Sequence, residues 1–151
     1  GYDGVEPSGN SNAALAFLKL SAYLIDPKLT KKAEKIFLSF SDELMEYGLN
    51  SAFMLQALHL YLGGLKEVAI VGKKNDSATQ SFLTTIRKGF FPNSVFAFSY
   101  DDEVEKNAKI IPLLEGRQLY QGKTVAYVCN QGTCLPPVQT SEELVKLLSY
   151  E

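Results

Sequence analysis

The chain has no tryptophan, one histidine (His59), two cysteines and no basic excess, with 15 Lys and Arg against 17 Asp and Glu over 151 residues. Each scarcity removes a class of function. Cys129 and Cys134 are too few for a disulfide scaffold at this length, and with His59 far off in sequence they fall short of the ligands a zinc site needs. Basic residues are scattered, in short pairs such as Lys31-Lys32 and Lys73-Lys74, so nothing tracks phosphates and no nucleic-acid partner is expected. Long apolar runs are missing too. The stretch 13–25, interrupted by Lys19 and Ser21, is too short to span a bilayer, so no membrane partner is expected. Phosphate-loop and dinucleotide fingerprints are absent, and no cofactor or metal is expected. The start, Gly1-Tyr2-Asp3, has neither the basic nor the apolar region of a leader. Gly1 in place of Met reads as a processed or engineered start, and cytoplasm is the expected compartment.

What is present is ordinary globular composition, 46% hydrophobic and 21% charged, in a chain long enough to bury a core. The first third reads as helices. Apolar residues over 11–25 point almost all round, the pattern of a helix buried on most sides, until Asp26-Pro27 stops it. A second helix to about Tyr47 is amphipathic, with Leu29, Ala33, Ile36, Phe37, Phe40 and Leu44 on one face, and Gly48 is placed to end it in a left-handed cap. A third helix over 52–62 is again apolar nearly all round and closes at Gly63-Gly64. The buried, amphipathic, buried series fits antiparallel hairpins of a double-layered helical barrel, whose remaining members must come from elsewhere. An ordinary small bundle is the simpler alternative.

After the glycine pair the period changes. Short apolar runs at 68–72, 95–98 and 125–129 read as strands buried on both faces. Helical stretches lie between them, over 78–89 and, more weakly, over 103–111. A last helix over 141–148 is announced by the capping box Thr140 and Glu143. The fold class expected is mixed α/β: antiparallel helices over residues 1–64, then a small, mostly parallel unit of three to four strands over residues 65–151.

Candidate sites are few. The loop Gly72-Lys73-Lys74-Asn75-Asp76-Ser77 leaves a strand and enters a helix, a position where helix amides hold anions. Asp76 or Ser77 is equally a helix cap. Cys129 and Cys134 flank Asn130-Gln131-Gly132-Thr133, which suits a hairpin turn, and a turn of that length allows the two sulfurs to be neighbours. A disulfide or redox pair, half a metal site and two packed side chains all remain open. His59, between Leu58 and Leu60, reads as a hydrogen-bonded core residue. In the opening loop Asp3 and Glu6, beside Ser8 and Asn10, are candidates for a substrate-binding cavity, although such residues also make turns and caps. No catalytic constellation stands out.

The loop Asp3-Gly4-Val5-Glu6-Pro7-Ser8-Gly9-Asn10-Ser11 resembles a motif of the thioredoxin-domain-containing proteins related to spermatogenesis-associated protein 20. So do Ala126-Tyr127-Val128-Cys129 followed by Thr133-Cys134-Leu135-Pro136-Pro137-Val138 and a capped helix, with Phe91-Pro92-Asn93 and Pro112-Leu113-Leu114-Glu115-Gly116 between. The resemblance spans essentially the whole chain. It implies a longer protein with an N-terminal thioredoxin-like domain and an (α/α) barrel similar to six-hairpin glycosidases and N-acylglucosamine epimerases. This chain is then a C-terminal fragment, inactive alone, whose first partner is the missing N-terminal part of its own chain and whose ligand is a sugar lined by Asp3, Glu6, Ser8 and Asn10. The resemblance also gives Cys129 and Cys134 a place in a C-terminal signature rather than in a thioredoxin motif. The other expected role is a non-catalytic module that seals the barrel. A helical face left without neighbours predicts a homodimer through residues 11–62.

Overall fold

The structure, a computed structural model, describes residues 2–149 and divides into two compact units, Gly1–Leu65 and Lys66–Glu151. The first unit is helical: α1 (Gly9–Leu24), α2 (Pro27–Ser39), α3 (Ser41–Tyr47), a 3₁₀ turn (Gly48–Ser51) and α4 (Ala52–Gly63). Asp26 and Pro27 start α2 as their chemistry requires. The Asp26 carboxylate accepts from the Lys28 amide at 2.9 Å, and proline, which has no amide to satisfy, takes the first turn. Three helices contribute to one core, with Ala14 and Leu18 from α1, Ala33 and Phe37 from α2, and Met54, Ala57 and Leu60 from α4. The Phe37 ring lies 5.6 Å from that of Tyr61, within the range where aromatic pairs attract.

Three expectations for this unit are corrected. The single helix running to Tyr47 is two, broken at Phe40. There the Ser39 and Ser41 hydroxyls donate to the carbonyls of Lys35 and Leu38, the local competition by which serine disturbs helix geometry. Gly48 has φ −52°, an ordinary right-handed value, because the chain tightens into a 3₁₀ turn instead of reversing. His59 is exposed on α4 rather than in the core, since the inward stripe of that helix is Met54, Ala57 and Leu60. No helix among the described residues is long and apolar enough to cross a membrane.

The second unit runs β1 (Lys66–Gly72), α5 (Ser77–Lys88), β2 (Ser94–Tyr100), α6 (Val104–Ala108), β3 (Val125–Asn130), β4 (Thr133–Cys134) and α7 (Ser141–Ser149), with the strands ordered β2-β1-β3-β4. The class is mixed α/β, as the alternating pattern predicts. The expectation of a mostly parallel sheet is corrected: β1 and β2 are parallel, whereas β3 is antiparallel to both β1 and β4. An apolar run signals burial on both faces but not strand direction, so Val125–Asn130 reads the same either way. On one face Val68, Ile70, Ala126 and Val128 meet Phe82 of α5 and Leu144 and Leu148 of α7. On the other, Val71 and Val125 meet Val104 of α6.

The capping box at α7 forms as its sequence indicates. The Glu143 amide donates to Thr140 Oγ1 at 3.2 Å, and the Glu143 carboxylate accepts from the Thr140 amide at 3.3 Å. At the other end of the sheet, β1 finishes on Gly72 because nothing larger fits. A Cβ there would stand 2.5 Å from Thr79 Oγ1 and 3.1 Å from Thr79 Cβ, and Thr79 is fully buried in the first turn of α5. Gly72→Ala is therefore expected to destabilise the chain by about 1–3 kcal/mol. Adding Thr79→Ala should recover part of that loss, as read by denaturant melts of the single and double variants.

Candidate functional site

Three polar clusters join segments distant in sequence. The first holds the opening loop. Asp3 Oδ1 accepts from the Ser8 amide and from Ser11 Oγ, both at 2.7 Å, while Oδ2 accepts from the amides of Phe53 and Met54 at 2.9 and 3.0 Å. Those amides open α4, where a helix leaves its first N–H groups without internal partners. Ser8 caps α1 by accepting from the Ser11 amide at 3.1 Å. Burial alone would push the Asp3 carboxyl up, but the Ser11 hydroxyl and the amides of Ser8, Met54 and Phe53 outweigh it and hold the group below the usual carboxylate range. A carboxylate offers about four acceptor positions, and here four donors of the chain itself occupy them. Of the four residues expected to meet a substrate, Asp3 and Ser8 are joined in this clamp, while Glu6 and Asn10 stand exposed.

The second cluster lies where the loop after Gly72 enters α5. Asp76 is the cap that its position suggests, and its Oδ2 accepts from the Thr79 amide at 3.4 Å. It accepts as well from the hydroxyl of Thr124, the residue preceding β3. Thr79 and Thr124 lie 2.9 Å apart, oxygen to oxygen. The Thr124 hydroxyl chiefly, with the Ala78 and Thr79 amides and the Thr79 hydroxyl, holds Asp76 below the usual range against the effect of burial. Lys74 is held by Asp102 at 2.7 Å and raised by that contact, and its ammonium lies over the Tyr100 ring at 5.5 Å. Within this loop, then, Lys74 and Asp76 both have partners inside the chain.

The third cluster surrounds the two cysteines, which are joined in a disulfide with S–S 2.09 Å. They face one another across the hairpin of β3 and β4. Its two-residue turn, Gln131-Gly132, has φ 48° and 80°, both positive as a type I′ turn demands. Cys129 is buried at 3% exposure, whereas Cys134 is exposed. Arg117 approaches both: its Nη2 stands 3.4 Å from Sγ of Cys129 and 3.7 Å from Sγ of Cys134. The guanidinium lies 4.8 Å from the centre of the Tyr127 ring, a cation–π distance, and its Nε is buried with no hydrogen-bond acceptor. Glu67, paired in register with Cys129, is half-buried. Burial raises its carboxyl above the ordinary value, while the charge of Arg117 pulls the other way. Arg117 also borders an open cleft of about 950 Å³, along with Asp101, Glu105, Lys109, Glu115 and Leu119. No sequence motif marks Arg117. It lies 12 positions ahead of Cys129, and only the hairpin and the turn at Gly116, φ 68°, bring it to the sulfurs. Among the described residues no group of three or more His, Cys, Asp and Glu is placed to hold a metal ion.

Neither a protein-family model nor a solved structure matches the chain. Among curated proteins, human spermatogenesis-associated protein 20 is 26% identical over 146 residues, covering 97% of this chain. The chain spans about a fifth of that relative's length, 19%. The likeness thus covers nearly all of this sequence and a small part of the other.

Asp3→Ala, which leaves four donors without their acceptor, is expected to cost roughly 1–2 kcal/mol, the range of a lost helix cap. The pH dependence has a definite sign. A carboxyl lowered in the folded state binds fewer protons there than in the unfolded chain, so its contribution is complete above the unfolded value and disappears as pH falls through the folded one. Acid titration of stability should therefore show a loss below about pH 4 that is smaller in Asp3→Asn than in the parent, measured by urea melts at successive pH values.

Proposed function

We propose that this chain is a structural and interaction segment of a longer protein of the spermatogenesis-associated protein 20 kind, its helical unit packing against other helices of the same protein. The observation that carries this reading is the apolar surface of α1 and α4. Each buries one stripe, and on their other sides Leu20 (45%), Leu24 (41%), Leu55 (38%) and Leu62 (70%) face solvent. Leu20 and Leu24 stand one turn apart on α1 and Leu55 and Leu62 two turns apart on α4, and apolar rows exposed in this way favour a contact surface. The occupant favoured is the rest of the chain's own protein, because the curated relative is about five times longer than the part matched here. In isolation the chain should associate with rising concentration in light scattering, and Leu20→Glu with Leu62→Glu should return it to a monomer. In the longer protein the same leucine backbones should be protected from hydrogen exchange. A concentration-independent monomer, or helices that exchange equally fast in both settings, would refute the proposal.

The second unit fits the same reading as a module without an acid–base constellation. Its strand–helix–strand, helix, hairpin and helix place the strands in the order β2-β1-β3-β4. The turn from β1 to α5 reads Lys73-Lys74-Asn75-Asp76, with Asp76 tied to Thr124, and so carries no Cys-X-X-Cys redox pair. A second reading concerns the longer protein, as a carbohydrate-binding or carbohydrate-processing barrel similar to glycosidases or epimerases. It draws on the family resemblance and on Glu6 and Asn10, which stand exposed beside the Asp3 clamp. Glu6→Gln with Asn10→Ala in that protein should weaken binding on a carbohydrate array at least about tenfold, a loss of roughly 1.4 kcal/mol; unaltered binding removes both residues from the site.

A further inference from the structure

We infer that Cys129 and Cys134 form a thiol–disulfide exchange site for a low-molecular-weight thiol of the glutathione class, with Arg117 stabilising the departing thiolate. The inference rests on the second unit alone and stands apart from the packing of the helical unit. The two sulfurs are unequal. Cys134 is exposed and open to attack, whereas Cys129 is buried and has the closer contact to the guanidinium, 3.4 Å.

Exchange proceeds by attack of a thiolate on one sulfur with the other leaving, faster when the leaving thiol is more acidic. An incoming thiolate bonds to Sγ of Cys134. The Cys129–Cys134 bond breaks, and its electron pair departs on Sγ of Cys129 beside Arg117, the kind of neighbour that lowers a thiol pKa. A second small-thiol anion then attacks the small thiol's own sulfur in the mixed disulfide, releasing Cys134 as thiolate. Two protons from the two small thiols end on the two cysteines, two electrons pass to the protein, and the small thiol leaves as its disulfide. The reverse sequence closes the hairpin again.

Two further features fit this use. The cleft bordered by Arg117 also carries Lys109 among Asp101, Glu105 and Glu115, so it offers both signs of charge to a peptide thiol that bears carboxylates and an ammonium. The hairpin also has its own supports, a two-residue turn and the pairing of β3 with β1, and these remain when the sulfur bridge opens.

The test is a titration of the whole 151-residue chain in glutathione buffers, scored by differential alkylation and mass spectrometry, with hydrogen exchange of β1 and β3 as the check on folding. The parent should interconvert within the buffer range, and Cys129→Ser should trap glutathione on Cys134. The reduced parent should alkylate with a midpoint below the ordinary thiol value of about 8.5. Arg117→Gln should raise that midpoint and, at a pH above both midpoints, reduce the equilibrium constant for reduction by about tenfold, one pH unit of thiolate stabilisation. Arg117→Lys should restore most of it. Glu67→Gln, which removes the opposing charge, should move the midpoint the other way. A bond that stays closed in fully reduced glutathione, or midpoints unmoved in the Arg117 and Glu67 variants, would overturn the inference.

Discussion

A helix begins with backbone amides that its own hydrogen bonds cannot satisfy, and much of this structure depends on how two carboxylates meet that need. Asp3 serves amides 50 and 51 positions away, so that one side chain fixes the opening loop, the start of α1 and the start of α4 together. Asp76 does the corresponding work in the second unit, joining the start of α5 to Thr124 at the entry to β3. In both places a negative charge sits at the positive end of a helix. The acidity of each group is the trace left by that service, since the donors that lower the carboxyls are the ones they hold in place.

This explains why candidate catalytic residues and candidate structural residues look alike in the sequence. Asp, Ser and Asn are the residues of turns and caps as well as of active sites, and a single sequence does not say where a carboxylate's partners come from. Asp76 was legible as a cap because its partners in α5 follow within three residues. The clamp at Asp3 was not, since its decisive partners lie in another helix. Thr140 and Glu143 were legible for the same local reason as Asp76.

The elements themselves follow the same division. Runs such as Val68–Val71 and Val125–Val128 announce strands because apolar, β-branched residues suit a pleated surface buried on both sides. Direction is a property of connection and neighbour, so the antiparallel entry of β3 had no local signal. The break at Phe40 is local, two serine hydroxyls bonding to the carbonyls of Lys35 and Leu38, and the spacing of apolar residues does not register it. The apolarity of α1 and α4 was legible as composition; only the structure separates their inward stripes from the leucines left facing water. Arg117 shows the limit most plainly. It meets two sulfurs and an aromatic ring, and none of the three is its near neighbour in sequence.

The hairpin that carries the sulfurs has one more consequence. Its turn, Gln131-Gly132, already has the backbone handedness that a right-twisted pair of strands requires, and Leu135 continues the ladder by donating to the Val128 carbonyl at 2.9 Å. The covalent bridge therefore lies across a joint that turn and ladder also hold. A fastener laid over a joint with supports of its own is the one part of that joint whose removal leaves other supports in place, and on this hairpin those supports are the turn and the Leu135 ladder bond.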